Sequence, residues 1–564
     1  MGPDEEPVPL QGYGEQDRQR HHDADGGVAT LKLEIAVKSH ESTRIAAASG
    51  RSLAAILILG VMCGMGSAAG QGVLRARSGG RPDTASTSTR PATVLLITAE
   101  ELAAAWAPFA KWKTRGGKAT RIVTCEQIAS QYEASSIQEK IRSCVRDHID
   151  HHGTRWVVLG GDCLPDGGGL VPGGHTTVHR KERRGIPTDI VYLSASSWDA
   201  DGDGVLGEWK DDRKSISYPD GSVGLGRIPV RTKEDVAAFT EKVIAYESRY
   251  PETDFATRMI YTCTDQRAFA KVRRSWVDHV AKKWAGEVGR FFSSETPWDE
   301  DGKPGSHELN ADNVVALFNA KTTGKMHLHG HGHLDQWILE RSRFTGEEVA
   351  RLKNDGAYPL ITTVSCNTGE YDNLRDPSIV ETMLRAPKAG SVAIVAPIRT
   401  GKMHLHQRSD FRRMVNEGLL DGTTQTMTRY WENGLGDGLT TGEALMKSKG
   451  AMTADARKNA SYHLCICELN LLGDPTLDMR QKAPRTPKLS VPRAISTGHQ
   501  TIEVKTDAPG STVCLWKGSE IYVVATADER GRVTSKIGPS SAGDVLVTVS
   551  GASLNTATGT IRVR

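Results

Sequence analysis

From Thr93 onward the 564-residue chain alternates short apolar runs with longer amphipathic stretches. TVLLITA (93–99) leads into a helical pattern that reaches Lys113, and WVVLGGD (156–162), DIVYLS (189–194), RMIYTCTD (258–265), KMHLHG (325–330), YPLITTVSC (358–366) and SVAIVAPI (391–398) follow. Runs this apolar read as strands buried on both faces, and helical stretches between them are what a parallel sheet needs for its crossovers. The pattern therefore predicts an α/β domain over residues 92–485, a mostly parallel sheet sandwiched by helices. After GDPTLDMR (473–480) a Pro- and Lys-containing link, QKAPRTPKLSVP, leads into strictly alternating segments such as TIEVKTD, STVCLWKG, EIYVVATAD and DVLVTVSG, separated by Gly, Asp and Ser turns. Short alternating strands of this kind predict a small all-β sandwich over 486–564, immunoglobulin-like in strand number and size.

The N-terminal 91 residues carry a different signal. SLAAILILGVMCGMGSAAG (52–70) follows Arg44 and Arg51, has an apolar run of signal-peptide length and ends in small residues, with Ser67 and Ala69 fitting a cleavage site. Residues 1–71 are thus expected to be a leader holding a signal peptide. Its polar part, 1–51, is long for such a leader, which implies either a start codon placed too early or an uncleaved anchor. Residues 72–91, rich in Gly, Ser, Thr and Arg with no apolar period, read as a linker or propeptide. The expected location is secreted or at a bacterial cell surface, with the periplasm as the alternative. Membrane contact is expected only through an uncleaved anchor.

Composition excludes several classes. With 71 basic and 68 acidic residues and no basic cluster interleaved with aromatics, nucleic acid is not an expected partner. Nine unevenly spaced cysteines without paired CxxC knuckles outline neither a disulfide scaffold nor a structural zinc site.

Two of the apolar runs end in reactive side chains. KMHLHG delivers His331 and YPLITTVSC delivers Cys366, each just past a strand's carboxyl end, the edge where open α/β sheets assemble sites. If the strands are neighbours, their ends lie about 5 Å apart. A free thiol is mostly protonated near neutrality, so it needs an imidazole that favours the thiolate and later protonates a leaving amine. Gly332 lets main chain approach a scissile carbonyl, so the amides at Gly332 and Cys366 are candidates for an oxyanion hole.

These blocks carry a resemblance. GHGHLDQW (330–337) resembles the Gly-His-Gly block of the gingipain family of caspase-like cysteine peptidases, down to Trp337, and VSCNTG (364–369) resembles that family's nucleophile block. WKTRGG (112–117), WVVLGGD, GLGRIPVRTKED (224–235) and GDPTL (473–477) extend the likeness over residues 92–564. The resemblance implies a caspase-like fold, a protein or peptide substrate, Cys366 as nucleophile and His331 as its partner. The family's third carboxylate, a Glu, falls on Asp265, one methylene shorter. The acid that gives Arg-specific members their S1 pocket has no clear counterpart, since QRAFAKVRRSW follows Asp265, so Arg specificity is not carried over. Val364 and Trp337 are candidate walls of the substrate pocket.

Three competing readings accompany this one. A lone cysteine ending an apolar strand is usually inert core. His327, His329, His331 and His333 alternate and so suggest zinc, but a strand would aim all four to one face, and no HExxH helix accompanies them. A degenerate peptidase fold serving as a secreted binding or adhesion protein is the rival from outside enzymology. Separately, WDADGDGVLGEW sets Asp199, Asp201 and Asp203 at alternate positions, then Gly204, the Val205 carbonyl and Glu208, a spacing of hard oxygen ligands suited to a structural Ca²⁺. The closing acid comes two places earlier than in a full EF-hand loop. The alternative is a solvated acidic turn.

Overall fold

The computed structural model describes residues 93–564 apart from 166–167, 178–184, 265–279, 281–286, 293–306, 340–341, 374–376 and 402–419. Residues 52–70 and 72–91, read above as an export signal and a linker or propeptide, and Asp265 lie outside the described residues.

In chain order the strands of the large domain are β1 (Val94–Thr98), β2 (Thr120–Thr124), β3 (Trp156–Gly160), β4 (His175–Thr176), β5 (Ile186–Pro187), β6 (Gly224–Ile228), β7 (Arg258–Cys263), β8 (Glu287–Phe292), β9 (His307–Glu308), β10 (Lys325–His329), β11 (His331–His333), β12 (Gln336–Leu339), β13 (Ser342–Phe344), β14 (Leu360–Thr363), β15 (Ala393–Pro397) and β16 (Leu469–Gly473). Eleven of them make one sheet in the order β2-β1-β3-β6-β16-β15-β14-β10-β7-β8-β9. Every residue of β1, β3, β10 and β15 is buried, as a sheet covered on both faces requires; β1, β3 and β15 are unbroken apolar runs, whereas β10 carries Lys325, His327 and His329 into the interior.

The sheet is more divided than the expected parallel one. β15 and β16 pair antiparallel, from Ala393 opposite Gly473 to Pro397 opposite Leu469, whereas β16 is parallel to β6. Two parallel blocks therefore run in opposite directions and meet at this seam. The consequence for the site is that the amino end of β16 joins the carboxyl ends of β15, β14 and β10 along one edge.

Helices cover the sheet and start where their sequences say they should. Thr124 with Gln127, Thr232 with Asp235, Ser378 with Glu381 and Thr440 with Glu443 form reciprocal capping boxes, each satisfying amides that a helix's first turn leaves open. Inside, the guanidinium of Arg227 is fully buried. It donates to both oxygens of Asp189 at 2.7 and 2.8 Å and to the carbonyls of Gly161, Val171 and Pro172, so the buried charge is paired and its donors are used.

A second apolar cluster, including Val504, Val513, Leu515, Val545, Val547 and Ile561, lies between two C-terminal sheets. Their strands are β17 (Leu489–Ser490), β18 (Ala494–Ile495), β19 (Gln500–Thr506), β20 (Thr512–Lys517), β21 (Ile521–Thr526), β22 (Arg532–Ile537), β23 (Gly543–Ser550) and β24 (Ala557–Val563). One sheet is β17-β19-β22 and the other β18-β24-β23-β20-β21. The loop Asn555–Thr556 fastens them to the large domain: Asn555 exchanges hydrogen bonds with the Tyr250 backbone at 3.1 Å, and the Thr556 amide donates to the Glu247 carbonyl at 2.9 Å.

Candidate functional site

β10 and β14 are neighbours in the sheet, with Leu328 opposite Thr363 and the Val364 amide donating to the Leu328 carbonyl at 3.1 Å. His331 and Cys366 follow two and three residues after their strands end. The two blocks then press together. A Cβ placed on Gly332 would stand 2.5 Å from Thr368 Cγ2, 2.7 Å from Ser365 Cβ and 3.1 Å from the Cys366 carbonyl oxygen, so only glycine fits beside the Cys366 loop. His331 is exposed and Cys366 partly buried. The row of alternating histidines is broken here: His327 and His329 are buried in β10, while His331 and His333 belong to β11 in a separate antiparallel sheet, β11-β12-β13. The four histidines therefore do not form one row on a single strand.

The Cys366 loop is held by main chain. The Asn367 amide donates to the Arg399 carbonyl at 2.8 Å and the Gly369 amide to the Pro397 carbonyl at 3.0 Å, while Thr368 Oγ1 donates to the Ser365 carbonyl at 2.9 Å. Asn367 has φ of 61°, a left-handed conformation that Asn tolerates better than most residues and that turns the chain sharply after Cys366. Burial pushes the Cys366 thiol up from its ordinary value, the Gly401 amide pulls the other way by donating to the sulfur, and the Glu468 carboxylate adds to the upward shift. The balance favours the neutral thiol over the thiolate. Gly401 is itself confined, since a Cβ there would lie 2.7 Å from the Val364 carbonyl.

The segment supplying that amide is anchored by Arg399. Its guanidinium grips Asp372 through two bonds of 2.9 and 2.7 Å, donates to the Gly185 carbonyl at 2.9 Å and stands 3.7 Å from Glu370. His175 Nε2 lies 3.4 Å from the same Asp372 carboxylate. Burial alone would raise the Asp372 carboxyl, but the hydrogen bonds from His175 and Arg399 and the Arg399 charge hold it well below the usual carboxylate range. The hairpin β4-β5, the Cys366 loop and the end of β15 are thus tied into one unit.

Two of the expected pocket walls need correction. Trp337 is fully buried and stacks on Phe344 with centroids 5.2 Å apart, so its ring packs the core under β12 and offers no surface to a substrate. Val364 is also core, at 2 % exposure. Sequence reading missed Gly401, Arg399, Asp372 and Glu468. The first two follow the carboxyl end of β15, the strand beside the one that leads to Cys366, so the strand-edge rule that flagged His331 and Cys366 applies to them as well.

In the acidic loop, one carboxylate oxygen from each of Asp199, Asp201 and Asp203 lies within 4.8 Å of the others. Asp199 Oδ1 is buried without a hydrogen-bond partner, while Oδ2 accepts the Gly204 amide at 3.1 Å. Glu208 is not part of this trio. The acid that ties the loop is Asp212, which accepts the Ala200 amide at 2.7 Å and the Glu208 amide at 2.9 Å. Burial raises the Asp212 carboxyl, its two amide bonds oppose this, and the charges of Asp201 and Asp199 push it further up.

Residues 87–480 match the model of peptidase family C25. Gingipain R2 of Porphyromonas gingivalis strain ATCC 33277 is 23% identical over 447 residues, 78% of this chain and 53% of that protein. Gingipain R1 of Porphyromonas gingivalis is 21% identical over 459 residues, 80% of this chain and 41% of the relative. The chain thus spans about half the length, or less, of these curated relatives. Among solved structures, the crystal structure of the Arg-specific cysteine proteinase gingipain R superposes with a TM-score of 0.62 at 19% identity, covering 86% of this chain and all of that one. The complex of the Porphyromonas gingivalis RgpB pro- and mature domains gives 0.61 at 18% identity, covering 84% and 100%. The likeness extends through the large sheet and its helices, and shows a gingipain-type, caspase-like fold.

Proposed function

Because the chain belongs to peptidase family C25, we propose that it is a cysteine endopeptidase acting through Cys366 and His331. The observation that carries this reading is the seating of Gly332 against the Cys366 loop, which sets the residue after His331 in contact with the nucleophile's own backbone. The Cys366 thiol passes its proton to the His331 imidazole, and the thiolate adds to the scissile carbonyl. Main-chain amides near Gly332 and Cys366 are suited to the oxyanion that forms, because fixed donors aimed at developing charge lower the barrier without reorganisation. His331 then protonates the departing amine, leaving a thioester on Cys366. Water, deprotonated by His331, attacks the thioester and releases the acid and the free thiol. Asp265 is assigned to orient His331.

The substrate in this reading is protein or peptide, and the apolar segment 52–70 supports export to the cell surface or medium. The acidic loop is assigned a structural Ca²⁺. The trio of close carboxylates and the orphaned buried Asp199 Oδ1 fit a hard cation, with Asp199, Asp201 and Asp203 as ligands. The ion would neutralise repulsion within the loop and take no part in the chemistry.

The test is cleavage of a peptide library by the wild-type chain and by Cys366→Ala. Hydrolysis that vanishes in the variant while the melting curve is kept supports the assignment, and the cut sites report the P1 preference. Hydrolysis that persists removes it, and a wild-type chain that cuts nothing favours the binding-protein reading.

A further inference from the structure

A cavity of about 450 Å³, in the size range of small-ligand sites, opens where the large domain meets the C-terminal sheets. Its wall comes from both sides: the end of the helix Ala107–Arg115 with the Gly116–Gly117 turn on one, and Thr512 and Ser550 of β20 and β23 on the other. No residue of the Cys366 or His331 blocks lines it.

Its charge is one-sided. Cationic side chains outnumber carboxylates on the wall five to two. Part of that charge is already spoken for. Lys113 pairs with Glu247 at 2.9 Å and Asp474 at 2.7 Å, Arg155 pairs with Glu443 at 2.6 Å, and Glu247 also accepts the Trp112 indole N–H at 2.6 Å. Arg115 is different. Its guanidinium lies over the Trp112 ring, 4.3 Å from the centroid, with no hydrogen bond or ion pair among the described residues, and its Nε is buried. Arg480, on the same wall, spends two nitrogens on the Leu554 and Tyr246 carbonyls and keeps a third, Nε, buried and unpartnered. Lys118 completes the group, donating to the Thr476 carbonyl at 2.5 Å and standing 4.0 Å from the Glu247 carboxylate.

A half-buried guanidinium without a partner is costly, because burial removes water and nothing replaces it. The planar fork of Arg is shaped for the paired oxygens of carboxylate or phosphate, and a stacked ring fixes its plane. We propose that this cavity binds a small ligand with an oxyanion head, carboxylate or phosphate, gripped by Arg115 with Arg480 and Lys118 on the same wall. The ligand bridges the two domains, so its binding free energy stabilises their association by mass action. The volume exceeds what a bare ion fills, which leaves room for a small body behind the head.

The experiment titrates inorganic phosphate and, separately, acetate into the full chain at ionic strength held constant with chloride. Tryptophan fluorescence, with Trp112 under Arg115 as reporter, and the thermal midpoint are followed in wild type, Arg115→Gln and Lys118→Gln. The expected result is a saturable response in wild type and an apparent affinity about tenfold or more weaker in R115Q, the loss of one charge-assisted contact. Peptide hydrolysis should be unchanged. Saturation by phosphate alone assigns a tetrahedral head and by acetate alone a carboxylate. If R115Q melts too low to titrate, K118Q carries the comparison, with a smaller but definite weakening. A response that never saturates, is absent for both anions, or is equal in the wild type and the variants overturns the proposal.

Discussion

Leu328 and Thr363 stand opposite one another in adjacent parallel strands, and the chain leaves them for His331 and Cys366 respectively. A parallel pair fixes the direction of both exits, so an imidazole and a thiol far apart in sequence leave the same edge of the sheet. Gly332 then closes the gap to the Cys366 loop.

That closeness makes Gly332→Ala a sharp probe. The added methyl meets Thr368, Ser365 and the Cys366 carbonyl within 3.1 Å, so either loop must yield. Overpacking of this kind costs about 1–3 kcal/mol. Because the displacement falls on the reacting groups, kcat/KM for a peptide substrate should drop about 100-fold. Wild-type kinetics in this variant would mean that the two loops are not held as the structure has them.

Glu468 bears on the thiol. Its negative charge disfavours a thiolate at Cys366 and contributes to the raised value, so replacing it with the uncharged isostere should shift the value down. In Glu468→Gln the pH midpoint for iodoacetamide alkylation of Cys366 should therefore fall relative to wild type, making the thiol more reactive at a given pH below the midpoint. An unmoved midpoint would remove Glu468 from the site's electrostatics.

Asp372 ties the nucleophile loop to Arg399 and His175, and its carboxyl is held below the ordinary value. A depressed carboxylate stabilises the fold fully above its unfolded pKa of about 3.9 and loses that contribution as pH falls toward the folded value. Asp372→Asn should accordingly lower stability at pH 7 by about 3 kcal/mol, the scale for breaking a buried pair. The gap between variant and wild type should narrow below about pH 4. A gap independent of pH in denaturant titrations would point to packing rather than charge.

The acidic loop predicts a calcium-dependent melt. If Asp199, Asp201 and Asp203 hold an ion, free Ca²⁺ at 100 times its Kd should add about 2.7 kcal/mol, a chelator should remove it, and Asp201→Asn should abolish the response. Identical midpoints with and without chelator would leave the loop a solvated turn.

Much of this was legible in the sequence because burial on both faces of a parallel strand writes an unbroken apolar run, and β1, β3 and β15 carry one. His331 and Cys366 could be read from the ends of β10 and β14, which are as fully buried but mix Lys, His and Thr among their apolar residues. Glu468 could not, because it precedes β16, and only the antiparallel seam brings a strand's beginning to the edge where its neighbours end. The Ile398 amide donating to the Glu468 carbonyl at 2.9 Å is a consequence of that reversal, which no local pattern encodes. Trp337 was misread for a related reason: an aromatic six residues after His331 reads as near the cleft, but the hairpin turn of β11 into β12 sends it inward. Asp212 escaped notice because the acid that ties the acidic loop arrives from the following helix rather than from within the repeat of alternating aspartates.

The most direct measurement is acid-quench mass spectrometry of the chain during incubation with a peptide ester or amide. The account predicts a mass increase equal to the substrate's acyl portion on the tryptic peptide containing Cys366, absent in Cys366→Ala together with all hydrolysis. An acyl group found on another residue, or full turnover by Cys366→Ala, would contradict it.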